Sequence, residues 1–170
     1  MAKVITFSTT FQKKHPRSGE PTWFVERILN QLQDFSFVTN ELAESQGFLL
    51  GKDSYIENRI KIGFKKSHTI RAGHRFKVGD KFSPRIWSGK PYQSKQIIIA
   101  PDIEVKKVYG FSCDTMDYWL HNGEINYQLS LDEVKNVAAN DGLSVEDFER
   151  WFDAKEFDGQ IICWNDKVNY

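Results

Sequence analysis

Lys65-Lys66-Ser67-His68-Thr69-Ile70-Arg71 is the point at which the chain changes character. Ahead of it, apolar residues recur at helical spacing. From Thr69 onward they alternate, or run as β-branched and aromatic blocks bounded by tight turns. Read as the start of a strand, Thr69 and Arg71 project from one face, because successive strand residues point to opposite sides. Lys66, just ahead, can fold back over that face. The stretch then offers a hydroxyl nucleophile, an amine that serves as a base when its pKa is depressed, and a guanidinium for an anion or carbonyl. It equally fits a plain strand start with solvated polar side chains, and seven residues alone do not separate the two readings.

Downstream, Val78-Gly79-Asp80 reads as a turn into a strand carrying Phe82, Ile86 and Trp87. Gln96 to Ala100 and Ile103 to Phe111 follow as two more strand candidates, separated by Pro101-Asp102 and spaced to pair as a hairpin. Ser130-Leu131-Asp132-Glu133 matches a capping box, and Leu131, Val134, Val137 and Ala138 predict one apolar helical face over 131–139. Asn140-Asp141-Gly142 ends that helix. A second helix is predicted over 145–153, with Val145, Phe148, Trp151 and Phe152 inward, and Gln160 to Trp164 closes as a strand.

Upstream, Val4 to Thr9 alternate as a strand, and 12–21, with Pro16, Gly19 and Pro21, reads as a loop. Thr22 is the expected N-cap of a helix over 22–33 that buries Trp23 or Phe24, Ile28 and Leu32. Asn40 to Gln46 suggests another helix ended by Gly47, and Phe48 to Lys61 fits no single pattern. The whole is α+β: residues 1–11, 69–113 and 160–164 are expected to share one curved or closed sheet, flanked by helices.

The 170 residues suit one domain with a real core, and 14% aromatic content predicts a core of large side chains. Lys plus Arg equals Asp plus Glu at 23 each, so no global field draws the chain to nucleic acid; such binding needs a local patch. Residues 65–95 hold that patch, with Lys65, Lys66, Arg71, Arg75 and Lys77, while acidic residues concentrate after Asp114. Within it, Arg85-Ile-Trp87-Ser-Gly-Lys90-Pro-Tyr92 interleaves cations with aromatics. The segment offers Trp87 or Tyr92 for stacking and Arg85 or Lys90 for phosphate, or else a hairpin turn with Trp87 in the core. Cys113 and Cys163 read as buried free thiols, and the scattered His15, His68, His74 and His121 give no metal-ligand spacing, so neither metal nor cofactor is expected. The absence of a signal-like start or a spanning apolar run predicts a cytoplasmic protein without membrane partners.

The strand Val4-Ile-Thr-Phe, the Lys66-x-x-Thr69-Ile-Arg71 signature, the Val78-Gly79-Asp80 turn and the closing Gln160-Ile-Ile-Cys strand together resemble an ASCH domain. That resemblance implies a PUA-like β-barrel, an association with RNA, and a single domain over 1–170 with a helical insertion at about 12–64 roofing the site. Within the superfamily the segment order resembles the small N4-acetylcytidine amidohydrolases, which deacetylate the exocyclic nitrogen of cytidine with a lysine, a threonine and a glutamate. The resemblance puts the first two on Lys66 and Thr69. The glutamate falls on Asp141, one methylene shorter. His15-Pro-Arg17-Ser-Gly-Glu-Pro-Thr22 and Trp87-Ser-Gly-Lys-Pro-Tyr92 also look like segments of uncharacterised phage and bacterial ASCH proteins; His15 and Arg17 either reach the pocket or stay in an exposed loop.

Three functions fit. The first is binding of RNA, single-stranded nucleic acid or a modified pyrimidine nucleotide, using Arg71, Arg75, Arg85, Trp87, Lys90, Tyr92, His15 and Arg17. The second is amidohydrolysis of an acylated cytidine by Lys66, Thr69 and Asp141, with Arg71 or a backbone amide on the oxyanion. The third is a phage-type accessory protein that grips a host protein through the insertion.

Overall fold

In a computed structural model the described residues are 2–60, 64–115, 117–123, 125–152 and 156–170. They divide into two compact units whose chain segments interleave: 1–65 with 81–103, and 66–80 with 104–170. The chain is α+β.

The first unit opens with β1 (Lys3–Thr6), followed by α1 (Phe24–Leu32), α2 (Asn40–Ser45), α3 (Lys52–Tyr55) and a π-turn at Ile56–Ile60. The earlier chain change at Lys65 separates these from β2 (His68–Ala72) of the second unit, after which β3 (Lys81–Trp87) and β4 (Gln96–Ile98) return to the first. β1 lies parallel to β3, Ile5 opposite Pro84, and β4 pairs antiparallel with β3, Ile86 opposite Ile97. The short β5 (Ile103–Glu104), where the chain passes between units, also pairs with β3. Ile5, Phe7, Phe82, Ile86 and Ile97 are buried here, as the alternation predicts.

The helix expected over 22–33 forms as α1, burying Phe24, Ile28 and Leu29, while Leu32 is half-buried and Trp23 exposed. Its cap differs from expectation. Thr22 Oγ1 donates to the Ser8 carbonyl at 2.6 Å, and the N-cap is Trp23, held left-handed at φ 60° and ψ 20° without a side-chain cap. A bulky residue in that region costs about 1–3 kcal/mol. Gly47 (φ 73°) follows the end of α2, as read from the sequence, and Thr39, not foreseen, caps its start by accepting from Leu42 N.

The second unit holds β2, β6 (Lys107–Asp114), β7 (Asp117–Asn122), β8 (Ile125–Gln128), α4 (Leu131–Asp141), α5 (Val145–Trp151) and β9 (Phe157–Cys163). Its strands run in the order β2-β9-β6-β7-β8, every neighbour antiparallel. Phe111 sits amid Tyr118, Phe148, Phe152 and Phe157, at centroid distances of 5.5–6.2 Å, an aromatic core of the kind the composition implied. The capping box is present: Glu133 N donates to Ser130 Oγ and Ser130 N to Glu133 Oε2 at 2.8 Å. Val134, Val137 and Ala138 are buried, but Leu131, in the first turn, is exposed. The predicted helix end at residue 153 lies outside the described residues, as do 61–63.

Two expectations are corrected. The strands of 1–11, 69–113 and 160–164 form two sheets rather than one, and neither sheet closes into a barrel among the described residues. Gln96–Ile98 and Ile103–Phe111 do not form a hairpin with each other: β4 turns back on β3, and β6 lies between β7 and β9. Alternation identifies the apolar face of a strand but not its neighbour, which here is set by pairings remote in sequence.

Candidate functional site

β2 is the edge strand of the second sheet, in register with β9: His68 opposite Cys163, Thr69 opposite Ile162, Arg71 opposite Gln160. Immediately ahead of it, Ser67 N donates to the Asn140 carbonyl at 2.7 Å, tying the strand start to the last turn of α4. Lys66 extends the same junction. Its Nζ donates to both the Asp141 carbonyl and Asp141 Oδ1, each at 2.5 Å. The ammonium therefore serves the C-terminal end of α4, where the helix leaves carbonyls unsatisfied and the dipole favours a cation. Gly142, left-handed at φ 77°, completes that end. Lys66 is 1% exposed and Asp141 6%.

His68 completes the cluster. Its ring is wholly buried, and Nε2 lies 3.1 Å from the Val137 carbonyl, which can only accept, so Nε2 carries the proton. Nδ1 is then a bare acceptor 3.7 Å from Asp141 Oδ1, with no hydrogen-bond partner. Burial, reinforced by the Lys66 charge, drives the His68 pKa well below the usual imidazole value. Burial also raises the Asp141 carboxyl, against the opposing pull of Lys66 and, more weakly, Arg71. Thr69 is buried and Arg71 half-buried on β2. Lys66 and Asp141 thus meet at one junction of the second unit, despite the shorter side chain of Asp141, with Arg71 near enough to act on the same carboxylate and Thr69 on the adjoining strand. Arg75 stands beyond β2 as an exposed residue.

A depressed histidine pKa has a defined consequence for stability. The unfolded chain takes up a proton at His68 near pH 6.5 while the fold refuses it, so stability is complete above pH 6.5 and falls as pH drops below it. The expected loss is up to about 1.4 kcal/mol per pH unit below that point. Melting His68→Gln and the parent chain at pH 7.5 and 5.5 checks this: the variant should show the shallower acid slope. Equal slopes would mean that His68 titrates normally.

His15, Arg17, Arg85, Trp87, Lys90 and Tyr92 belong to the first unit. His15 is 5% exposed, stacked on Phe11 at 4.4 Å, with Nδ1 accepting from Arg17 N at 3.1 Å. The Arg17 guanidinium lies over Phe11 and pairs with Glu20 at 2.7 Å. The loop packs on itself, so His15 is neither solvated nor presented. Arg85 reaches Ser83 Oγ and, across the strands, Gln96 Oε1. Trp87 is half-buried with Tyr92 tilted against it at 5.3 Å; Tyr92 and Lys90 are exposed. Cys113 and Cys163 are free and buried, and burial pushes the Cys163 thiol up to about 12. No group of three or more His, Cys, Asp or Glu is placed to hold a metal among the described residues, and no described helix is long and apolar enough to cross a membrane.

His68 and the backbone carbonyls of α4 were not foreseen; only the position of His68 between Lys66 and Thr69 hinted at it. No family model, curated protein or solved structure matches the chain.

Proposed function

We propose that the chain is a PUA-like protein of the ASCH type that binds a nucleotide or modified pyrimidine, free or within single-stranded RNA, through Thr69 and Arg71 beside the Lys66–Asp141 pair. The supporting observation is that pair. The Lys66 amine is tied up 2.5 Å from a carboxylate and a carbonyl, which suits a structural anchor beside the ligand and opposes service as a general base. Thr69 supplies a hydroxyl for a polar edge, and Arg71 a guanidinium for phosphate or a carbonyl oxygen.

Hydrolysis of an N4-acylated cytidine is the second reading, favoured by the arrival of Asp141 at Lys66, the partnership that the resemblance implies for lysine and glutamate. In it, Lys66 passes a proton to Asp141 and, now neutral, takes one from Thr69 or a water; the oxygen attacks the acyl carbon, and the exocyclic nitrogen leaves with that proton. If Thr69 attacks, a water then hydrolyses the acyl-threonine ester, releasing acetate and returning the proton to Thr69, while Lys66 regains its own from Asp141.

Calorimetric titration with cytidine monophosphate, N4-acetylcytidine and a short single-stranded RNA, with acetate release followed in parallel, separates them. Saturable binding without acetate release is expected. Thr69→Ala and Arg71→Gln should each weaken binding about tenfold, as expected for one hydrogen bond to a polar or charged group. Acetate release that vanishes in Thr69→Ala establishes the second reading instead. No binding and no turnover would overturn both.

A further inference from the structure

A separate feature of the first unit has the attributes of a binding site. A cavity of about 350 Å³ is lined by Trp23, Glu26, Arg27, Asn58, Arg59, Ile60 and Phe64, a volume within the range of small-molecule sites. Glu26 is 6% exposed. Its Oε1 accepts from the Tyr55 hydroxyl at 2.8 Å, while Oε2 is enclosed without a hydrogen-bond partner among the described residues. A buried carboxylate oxygen left without a donor is rare enough in folded proteins to call for an explanation. Burial raises the Glu26 carboxyl, against the pull of its own backbone N–H, the Tyr55 hydroxyl and, more weakly, Arg59 and Arg27.

The surroundings indicate what would supply the donor. The Arg59 guanidinium lies over the Trp23 ring at 4.7 Å and near Phe48 at 5.5 Å, and its Nη1 is anchored on the Gln46 carbonyl at 2.9 Å. The Arg27 guanidinium lies over Phe64 at 5.2 Å. Trp23 and Phe64 are nevertheless 37% and 76% exposed, so each retains open ring surface. Two backbone features shape the wall: the left-handed Trp23, and the π-turn at Ile56–Ile60 that carries Asn58, Arg59 and Ile60. Both are conformations that recur at functional sites. Among the described lining residues two guanidiniums stand against one carboxylate, a net cationic balance that disfavours an amine or metal ion and favours an anion. Aromatic walls favour a flat ring, and the lone Oε2 requires an N–H edge on it.

We infer that this cavity binds a nucleoside monophosphate whose base donates N–H groups to Glu26 Oε2, stacks on Trp23 or Phe64, and carries its phosphate toward Arg27 and Arg59. Guanine is the expected base, because its N1–H and 2-amino group are adjacent donors that suit a carboxylate. The site lies wholly within the first unit and does not depend on the Lys66 cluster.

The test titrates the full chain calorimetrically with GMP, AMP, CMP, UMP and inorganic phosphate. GMP should bind tightest, by about tenfold over the others. Glu26→Gln keeps an acceptor for Tyr55 but turns an amide N–H toward the ligand's donors, so GMP affinity should fall tenfold or more. Trp23→Gly suits the left-handed backbone while removing the ring, and should weaken GMP comparably; it decides the matter if Glu26→Gln fails to fold by thermal melt. Thr69→Ala, remote from the first unit, should weaken GMP binding far less than Glu26→Gln does. If no nucleotide saturates by about 1 mM, the inference is wrong. It also fails if phosphate alone competes fully while Glu26→Gln has no effect, since the cavity would then be a simple anion site. Equal weakening by Thr69→Ala would move the binding to the second unit and overturn this site alone.

Discussion

Replacing Lys66 with methionine should destabilise the second unit by about 3–5 kcal/mol, because it leaves the Asp141 carboxylate buried without its cation. The same change removes the ammonium from the end of α4 and leaves the Asp141 carbonyl short of a donor. For a chain of this length the melting temperature should drop by about 6–20 °C. The double variant Lys66→Met with Asp141→Leu should regain most of the loss, since a buried ion pair is often matched by apolar side chains of similar size. The four-member cycle, read by thermal and denaturant unfolding, isolates the pair. A Lys66→Met change costing under about 1 kcal/mol would show that the pair is open to water and screened. The cycle also bears on function: if the double variant folds well yet no longer binds nucleotide, the charge is retained for the ligand and not for the fold.

What the sequence made legible follows from the range of each signal. The capping box at Ser130 and Glu133, the two late helices and the Gly47 and Gly142 helix ends are all local, and all formed. Thr22 was one residue early as a cap: the left-handed Trp23 stands between it and the helix, so its hydroxyl, which donates to the Ser8 carbonyl, accepts only from Phe24 N at 3.4 Å. Sheet membership was beyond reach: β1 pairs with β3 after an intervening run of helices, and nothing in Val4 to Thr9 names that neighbour. The meeting of Lys66 with Asp141, 75 residues apart, came from resemblance and not from spacing. His68 went unnoticed because a histidine between polar residues looks solvated, whereas α4 covers it. Glu26 was hidden for a related reason. Helical periodicity placed it among Phe24, Ile28 and Leu29 without showing that the carboxylate side of the helix is buried too.

Gly159→Ala should be the most damaging single-methyl change in the chain's second sheet. β9 is an interior strand there, with Gly159 opposite Ala72 of β2 on one side and Phe111 of β6 on the other. A Cβ at Gly159 would lie 2.1 Å from the Arg71 carbonyl oxygen, 2.8 Å from its carbon and 2.9 Å from Ala72 Cα. All three atoms are backbone, so no rotamer change relieves the clash; β2 must move away from β9 or the pairing must break. Overpacking typically costs about 1–3 kcal/mol, and a clash with fixed backbone belongs at or above the top of that range. Gly110→Ala provides the internal control. Its added Cβ would meet the His121 Cβ at 2.8 Å, a tight contact with one side chain but 0.7 Å looser than the 2.1 Å approach to a backbone carbonyl oxygen at Gly159. Denaturant unfolding should therefore rank Gly159→Ala well below Gly110→Ala in stability. Because Arg71 and Thr69 ride on the displaced strand, the nucleotide binding proposed for the second unit should weaken in Gly159→Ala even under conditions where the chain remains folded. A Gly159→Ala protein within about 1 kcal/mol of the parent would mean that β2 does not lie against β9 in this register, and the site built on that strand would have to be redrawn.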